Sequence, residues 1–457
     1  MKLNRVMIAA PKSGSGKTSI TCALLQTLKD LGYPVVSYKC GPDYIDPMFH
    51  QRVIDIPSKN LDTFFTGEEE TKQLFLNGRA ENEFAVLEGV MGLFDGLGGI
   101  REEGSTYHLA EVTKTPIILV VDAKGMGRSL LPMLAGFLAY DKSHLICGVI
   151  LNRMSKGYYE IIKPLIEEEL HLPVVGYFPD KKNFTLESRH LGLVMPDEIT
   201  DIREQLKSIS VELQNAVSVQ KIIEIAKEAE ELIATEKSKK IECEANRPVI
   251  AVAKDEAFCF YYEDNMRLLR ENGAELVEFS PLHDANLPER CCGVLLGGGY
   301  PELYATELSQ NKTMLSAIKT AMENEIPIVA ECGGFMYLHS VLRDTEECLH
   351  EMSGVLPNKC YYVGKLVRFG YIEINEVHEN FLPEGEVIRG HEFHYWDSEN
   401  NGEDCIATKP VTGKSYSCVH SGKHYWFGFP HLYYPSNPHF AENFVKKAKE
   451  YMERKDV

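Results

Sequence analysis

The stretch Pro11-Lys12-Ser13-Gly14-Ser15-Gly16-Lys17-Thr18 sits between two patterned segments. Before it comes an apolar run, Val6-Met7-Ile8-Ala9. After it comes a helical pattern with Ile20, Ala23, Leu24, Leu28 and Leu31 on one face and Gly32 as its stop. A strand that enters a helix through a glycine-rich loop brings several backbone N–H groups and the positive end of the helix onto one set of phosphate oxygens. The spacing therefore predicts a phosphate-binding loop for ATP. In it Gly14 and Gly16 allow close backbone approach, Lys17 reaches the β- and γ-phosphates, and the Thr18 hydroxyl holds Mg²⁺. Pro11 stands where the usual pattern begins with glycine. Lys12 stands where partition-type ATPases carry a second lysine, and its role is left open.

A Mg²⁺-nucleotide site also needs carboxylates at neighbouring strand tips, because the ion and the phosphates must be charge-balanced. Two stretches offer them. In Lys39-Cys40-Gly41-Pro42-Asp43-Tyr44-Ile45-Asp46-Pro47 a strand gives way to a loop carrying two acids. Phe84-Ala85-Val86-Leu87-Glu88-Gly89 is an apolar run ending in an acid. Asp46 and Glu88 are the expected metal ligands. Gly148-Val149-Ile150-Leu151-Asn152-Arg153 is another strand ending in an amide, and Asn152 is expected at the purine.

From residue 1 to about 200 apolar runs alternate with helical patterns, as βαβ units on a parallel sheet do. The expected strands are Val6-Ala9, Val35-Tyr38, Ala85-Leu87, Ile117-Val121, Ile146-Leu151 and Val174-Tyr177. A Glu/Lys/Ala-rich helix and the charge run Glu236-Lys237-Ser238-Lys239-Lys240 follow and read as a solvated linker. Strand-helix alternation restarts at Val249-Ala253. The fold class is thus α/β, with domains expected at 1–240 and 248–457, each a mostly parallel sheet flanked by helices.

A net charge of −19 excludes nucleic acid and anionic membranes as natural partners, but not an anionic small molecule bound in a local basic pocket. No apolar run is long enough to span a bilayer and no cleavage site follows the N-terminus, so the expected location is the cytoplasm. The 12 cysteines show neither a disulfide framework nor zinc spacing. Oligomeric state is left open.

One cysteine differs in context. Ile326-Pro327-Ile328-Val329-Ala330 leads into Glu331-Cys332-Gly333-Gly334 and then Phe335-Met336-Tyr337-Leu338, which sets Cys332 on a strand-to-helix elbow. The helix N-terminus is expected to lower its pKa. Such a thiol suits attack on the glutamine side-chain amide. Gly297-Gly298-Gly299 ends another strand, and the N–H groups of Gly298 and Gly299 could hold an oxyanion. Three histidines compete as base: His431 in Phe429-Pro430-His431-Leu432-Tyr433, and His391 and His394 in Arg389-Gly390-His391-Glu392-Phe393-His394-Tyr395.

At these residues the chain resembles the cobyrinic acid a,c-diamide synthase family over nearly its whole length. Matching stretches include Ala10–Thr18, Gly41–Pro47, Glu88–Gly96, Glu187-Ser188-Arg189-His190-Leu191-Gly192-Leu193, Gly297–Glu302, Glu331–Gly334 and Arg389–Tyr395. The resemblance implies a dethiobiotin synthetase-like P-loop domain followed by a flavodoxin-like class I glutamine amidotransferase domain. It also implies a Cys–His pair without the acid two residues after the histidine. Tyr433 fills that position here, which points to His431 as the base. Family members commonly have a serine and a further histidine around this histidine, whereas this chain has Gly428-Phe429-Pro430-His431-Leu432-Tyr433-Tyr434.

The implied reaction is ATP- and glutamine-dependent amidation of the a and c carboxylates of cobyrinic acid, a polycarboxylate corrinoid, through acyl phosphates. Asp43, Tyr44, Arg189 and His190 are the expected positioning residues. Two alternatives stand beside it: the same reaction on nickel sirohydrochlorin, which shares these motifs, and a partition-type regulatory ATPase with a non-catalytic amidase-like domain, which Lys12 supports and the Cys332 elbow argues against.

Overall fold

The computed structural model describes residues 3–80, 82–181, 198–233 and 246–455. The charge run at 236–240 and the expected positioning residues Arg189 and His190 lie outside them. The chain divides into two compact units, Met1–Glu236 and Lys237–Val457.

In the first unit β1 (Asn4–Ala9), α1 (Lys17–Asp30), β2 (Val35–Cys40), α2 (Ile45–Arg52), β3 (Ser58–Leu61), α3 (Thr63–Leu76) and β4 (Phe84–Glu88) come first. They are followed by α4 (Thr106–Val112), β5 (Ile117–Asp122), α5 (Leu130–Tyr140), β6 (Ile146–Asn152), α6 (Lys156–Leu170), β7 (Val174–Phe178), α7 (Glu198–Ala216) and α8 (Val219–Lys227). The seven strands pair in the order β3-β2-β4-β1-β5-β6-β7, all parallel. Strands covered on both faces must be apolar along their length, and the buried Val6, Met7, Ile8 and Ala9 of β1 show this. In such sheets ligands gather where the strands end at their carboxyl side. β1 ends in the glycine loop, and its neighbour β4 ends in Glu88 with Ile8 paired to Glu88.

Buried Arg5 fastens the start of the sheet. Its guanidinium donates to the carbonyls of Leu3 (2.9 Å), Thr113 (2.8 Å), Lys114 (3.0 Å) and Glu230 (2.6 Å), so a charge inside the unit is spent on carbonyls rather than left bare.

The second unit opens with β8 (Val249–Ala253), β9 (Phe258–Phe260), α9 (Glu263–Glu271), β10 (Glu275–Phe279), β11 (Cys291–Leu296) and β12 (Gly298–Gly299). α10 (Ala305–Gln310), α11 (Lys312–Glu323), β13 (Ile328–Glu331) and α12 (Gly333–Leu338) follow. Nine shorter or antiparallel strands come next: β14 (Val341–Arg343), β15 (Leu349–Glu351), β16 (Lys359–Tyr362), β17 (Arg368–Glu376), β18 (Val387–His394), β19 (Trp396–Ser398), β20 (Cys405–Thr408), β21 (Ser415–Cys418) and β22 (His420–Gly422). The unit closes with β23 (Tyr425–Gly428), β24 (His431–Leu432) and α13 (His439–Lys455).

The main sheet of this unit, β10-β8-β11-β13-β23-β22, is parallel except at β22. A five-stranded antiparallel sheet, β21-β20-β17-β18-β24, lies beside it in the chain's course and was not anticipated. It carries all three candidate histidines. β18 pairs with β24 so that His391 faces His431.

Candidate active site

The first unit's site is built on the tips of β1, β2 and β4. Gly14 (φ 74°) and Gly16 (φ 93°) are left-handed, as the tight loop requires, and α1 starts at Lys17. Lys17 is buried, and its Nζ donates to the Met91 carbonyl at 2.5 Å. Burial, then the neighbouring Lys39, lowers its pKa to about 8. Thr18 donates its hydroxyl to Glu88 Oε1 at 2.8 Å. Lys12 is exposed, and its carbonyl accepts from the Ser15 hydroxyl at 2.9 Å.

Lys39, at the end of β2, ties the two expected metal acids together. Its Nζ lies 2.5 Å from Asp46 Oδ2 and 3.0 Å from Glu88 Oε1. Burial pushes the Glu88 carboxyl up to about 7, with the Asp46 charge adding to the effect. For Asp46 burial works in the same direction, but Lys39 and His50 outweigh it and hold the carboxyl below its ordinary range. His50 backs the pair, with Nδ1 2.8 Å from the Ser37 hydroxyl and Nε2 3.7 Å from Glu88 Oε2. Among the described residues no cluster of three His, Cys, Asp or Glu could hold a metal by itself. Two carboxylates and one hydroxyl do suit Mg²⁺, which takes few protein ligands and fills its shell with phosphate oxygens and water.

Three further expected residues are Asp43, Tyr44 and Asn152. Asp43 Oδ1 accepts from the backbone N–H of Ile45 (2.8 Å) and Asp46 (3.4 Å), so its carboxylate caps the turn that presents Asp46. Tyr44, buried, is the residue before α2. Asn152 braces the glycine loop: its Nδ2 donates to the Ser15 carbonyl at 2.7 Å, and a Cβ on Gly16 would run into that amide. Its Oδ1 accepts from Arg153 N–H at 2.9 Å, so the amide expected at the purine is engaged on both sides by protein. The Arg153 guanidinium donates to the Gly14 carbonyl (3.0 Å) and pairs with Asp122 (2.9 Å), a second brace that sequence reading did not single out.

In the second unit Cys332 stands at the junction of β13 and α12 with φ 47° and ψ −103°, a backbone conformation that L-residues rarely adopt. Its N–H donates to the Gly428 carbonyl at 2.8 Å, which locks the elbow to β23. The thiol is pushed up, not down. Burial is the main cause and the Glu302 carboxyl adds to it, while α12 has only 6 residues and so a weak terminal dipole. Cys332 therefore rests as a thiol and needs a base.

The triple glycine converges on this elbow. A Cβ on Gly333 would lie 3.1 Å from the Gly299 N, and one on Gly298 would overlap His431 Cε1. Gly299 N thus borders the residue after the nucleophile and Gly298 borders the His431 ring, two close approaches that glycine leaves open. His431 is buried and stacks on His391 with centroids 4.9 Å apart and planes at 15°. Burial, then His394, lowers its pKa to about 3, so it is a neutral proton acceptor at pH 7.

The competing histidines have other partners. His391 Nδ1 lies 3.2 Å from the Tyr262 hydroxyl, and His394 stacks flat on Phe429 (4.0 Å, 4°) with Nδ1 2.7 Å from the Trp396 carbonyl. Tyr433, in the position of the missing acid, donates to Asp264 at 3.2 Å. Sequence reading also passed over Glu331. It accepts from Leu432 N–H (3.4 Å) and the Tyr434 hydroxyl (3.2 Å) and so joins the residue before the nucleophile to the residues after the base.

A P-loop nucleotide-binding unit and an elbow-cysteine amidotransferase unit are therefore carried on one chain. Family models agree. Residues 6–194 match the CobQ/CobB/MinD/ParA nucleotide binding domain, and residues 249–426 match the CobB/CobQ-like glutamine amidotransferase domain. The chain is 40% identical to the cobyrinate a,c-diamide synthase of Listeria innocua, covering 88% of this chain and 89% of that one. It is 36% identical to that of Priestia megaterium, with 98% of each covered. The chain belongs to the cobyrinate a,c-diamide synthase family. Solved structures with partial similarity include the septum site-determining protein MinD from Pyrococcus horikoshii (16% identity, 49% of this chain, 94% of that one, TM-score 0.31). Among the described residues no helix is long and apolar enough to cross a membrane.

Proposed function

We propose that the chain amidates the a and c carboxylates of cobyrinic acid, with ATP as activator and glutamine as nitrogen donor. Residues 1–240 serve as the synthetase domain and 248–457 as the amidotransferase domain. What supports this reading is that Gly299 N lies against the residue after Cys332 and Gly298 against the His431 ring, in a chain whose other unit sets Thr18 and Lys39 beside a buried acid pair.

A carboxylate resists ammonia because it is anionic and would have to expel oxide. The synthetase unit removes that obstacle. A substrate carboxylate oxygen attacks the γ-phosphorus of ATP, the bond to the β–γ bridging oxygen breaks, and ADP leaves an acyl phosphate behind. Lys17 neutralises the transferring phosphoryl oxygens, and Lys39 holds Asp46 and Glu88 in place. Thr18, Asp46 and Glu88 would hold Mg²⁺, which supplies positive charge to the β- and γ-phosphates. Asp43 shapes the loop around Tyr44, next to which the substrate carboxylate is seated.

In the amidotransferase unit His431 takes the Cys332 proton as sulfur attacks the glutamine side-chain amide carbon. The Gly298 and Gly299 N–H groups receive the oxyanion, and His431 returns the proton to the departing ammonia. Water then hydrolyses the thioester to glutamate. Ammonia attacks the acyl phosphate carbon, phosphate leaves, and the amide remains.

The test is mass spectrometry of products from ATP, Mg²⁺, cobyrinic acid and either glutamine or ammonium chloride. The diamide is expected with both. Cys332→Ala should keep only the ammonium reaction, and Lys17→Ala should lose both. No amide with either nitrogen source would overturn the reading, and product only from nickel sirohydrochlorin would reassign the substrate.

A further inference from the structure

α2 brings two side chains to the tip of β4. Asp46 lies in its first turn and His50 four residues on, the spacing that sets side chains on one face of a helix. The chemistry above uses Asp46 and not His50, whose ring is fully buried. Nδ1 of that ring lies 2.8 Å from the Ser37 hydroxyl and 3.4 Å from the Ser58 hydroxyl, two serines paired across β2 and β3. The other ring nitrogen, Nε2, lies 3.7 Å from Glu88 Oε2.

Nε2 and Oε2 are both sealed from water, and among the described residues neither has a hydrogen-bond partner. The opposite oxygen of the same carboxylate is well supplied: Glu88 Oε1 accepts from the Thr18 hydroxyl at 2.8 Å and from Lys39 Nζ at 3.0 Å. Two lone pairs facing each other in a closed site would repel, so a proton lies between Nε2 and Oε2. With Glu88 ionised to meet a cation, Nε2 carries that proton, and Nδ1 is left to the Ser37 hydroxyl. The separation exceeds a formed hydrogen bond, so the ring acts on the carboxylate as an oriented N–H dipole. A carboxylate turns easily about its last bond, and its two oxygens are equivalent until their surroundings tell them apart. Here Thr18 and Lys39 take one, and the His50 ring faces the other.

We propose that His50 is a positioning residue for Glu88: it faces Oε2, so that Oε1 stays beside the Thr18 hydroxyl, where the divalent cation of the nucleotide is to be held. The ring does not touch the cation. It fixes the rotation of one of the cation's ligands, as the outer partners of metal-binding side chains do. Ser37 and Ser58 fix the ring in turn. This inference rests on the reading that Thr18, Asp46 and Glu88 hold Mg²⁺, and not on which acid is amidated.

The test titrates Mn²⁺, which takes the same oxygen ligands, into the full chain with ADP and measures free Mn²⁺ by electron paramagnetic resonance. His50→Phe keeps the bulk of the ring and loses both nitrogens. His50→Gln places an amide N–H near the position of Nε2, and His50→Asn places one near that of Nδ1. His50→Phe and His50→Asn are expected to bind Mn²⁺ about 10- to 100-fold more weakly than the wild type, the range for losing an outer partner of a metal ligand, and His50→Gln within about threefold of it. ADP with excess EDTA should bind all four proteins alike, which shows the glycine loop intact. In ammonium-driven synthesis His50→Asn should need about 10-fold more Mg²⁺ for half its maximal rate and recover most of its kcat at saturating Mg²⁺. The Gln and Asn pair keeps the comparison decisive if the Phe protein does not fold. Equal Mn²⁺ affinity in the wild type and His50→Asn, or an equal loss in His50→Gln and His50→Asn, would overturn the proposal. A wild type without an ADP-dependent Mn²⁺ site would overturn the metal assignment itself and this role with it.

Discussion

Glu331 accepts a hydrogen bond from the backbone N–H of Leu432 at 3.4 Å, so the residue before the candidate nucleophile is tied to the residue after the candidate base. The Tyr434 hydroxyl donates to the same carboxyl at 3.2 Å. Removing it with Glu331→Ala leaves two buried donors unanswered, a cost of about 2–4 kcal/mol. It also frees β24 to drift, and a displaced base costs rate steeply. Glutamine-driven amidation is expected to fall by about 100-fold, while the ammonium-driven rate stays within twofold of wild type. Parallel assays with the two nitrogen sources check this, and an equal fall in both would show that Glu331 does not act on the glutamine site.

Lys39 carries a different load. Its ammonium lies between Asp46 (2.5 Å) and Glu88 (3.0 Å), all three buried. Lys39→Met leaves two facing carboxylates without their cation, and breaking a buried ion pair in this way costs about 3–5 kcal/mol. Both Trp residues lie in the second unit, so the loss should be sought by hydrogen exchange in β1 and β4 rather than by fluorescence. Adding Glu88→Gln should recover part of the stability but none of the ATP-dependent activity, because the double variant has one charge fewer to hide and one metal ligand fewer to use.

Much of this was legible in the chain and some was not, for physical reasons. The glycine loop, its strand and its helix were legible because phosphate binding demands a particular backbone, and few residues permit it. Buried parallel strands such as β5 announce themselves as unbroken apolar runs. β3, Ser58-Lys59-Asn60-Leu61, does not, because it is a short edge strand held mainly by backbone pairing to β2. The antiparallel sheet was missed for a related reason: β21, Ser415–Cys418, is too short to show a period. Lys39 and Glu88 are 49 residues apart, and the ion pair between them depends on which strands become neighbours. The thiol shift was misjudged because its main cause, burial by the surrounding fold, does not show in a local strand-to-helix pattern.

His339 gives the second unit an expected acid sensitivity. Its ring is buried, with Nδ1 2.8 Å from the Phe335 carbonyl and Nε2 2.7 Å from the Ser398 hydroxyl, and burial lowers its pKa to about 4. Below pH 6.5 the unfolded chain takes up a proton that the folded ring refuses. The contribution is therefore complete above pH 6.5 and is lost as pH falls toward 4, about 3 kcal/mol in all. Tryptophan fluorescence in urea reports on this unit. The stability gap between wild type and His339→Gln is expected to shrink by about that amount between pH 7 and pH 4. A gap that does not change with pH would mean that the folded ring takes up its proton as readily as the unfolded chain does.

The elbow itself should hold measurable strain. Cys332 has φ 47° and ψ −103°, and a non-glycine residue in such a conformation costs about 1–3 kcal/mol. Glycine has no Cβ to be crowded there, although it gains more freedom on unfolding than alanine does. The first effect outweighs the second at this backbone geometry. Cys332→Gly is therefore expected to be more stable than Cys332→Ala by about 1 kcal/mol, although both lack the thiol and both depend on ammonium. Urea unfolding followed by tryptophan fluorescence compares the two directly. If the alanine variant were equally stable or better, the strain would not reside at Cys332, and the elbow would have to be held by the Cys332 N–H bond to Gly428 and by β23 alone.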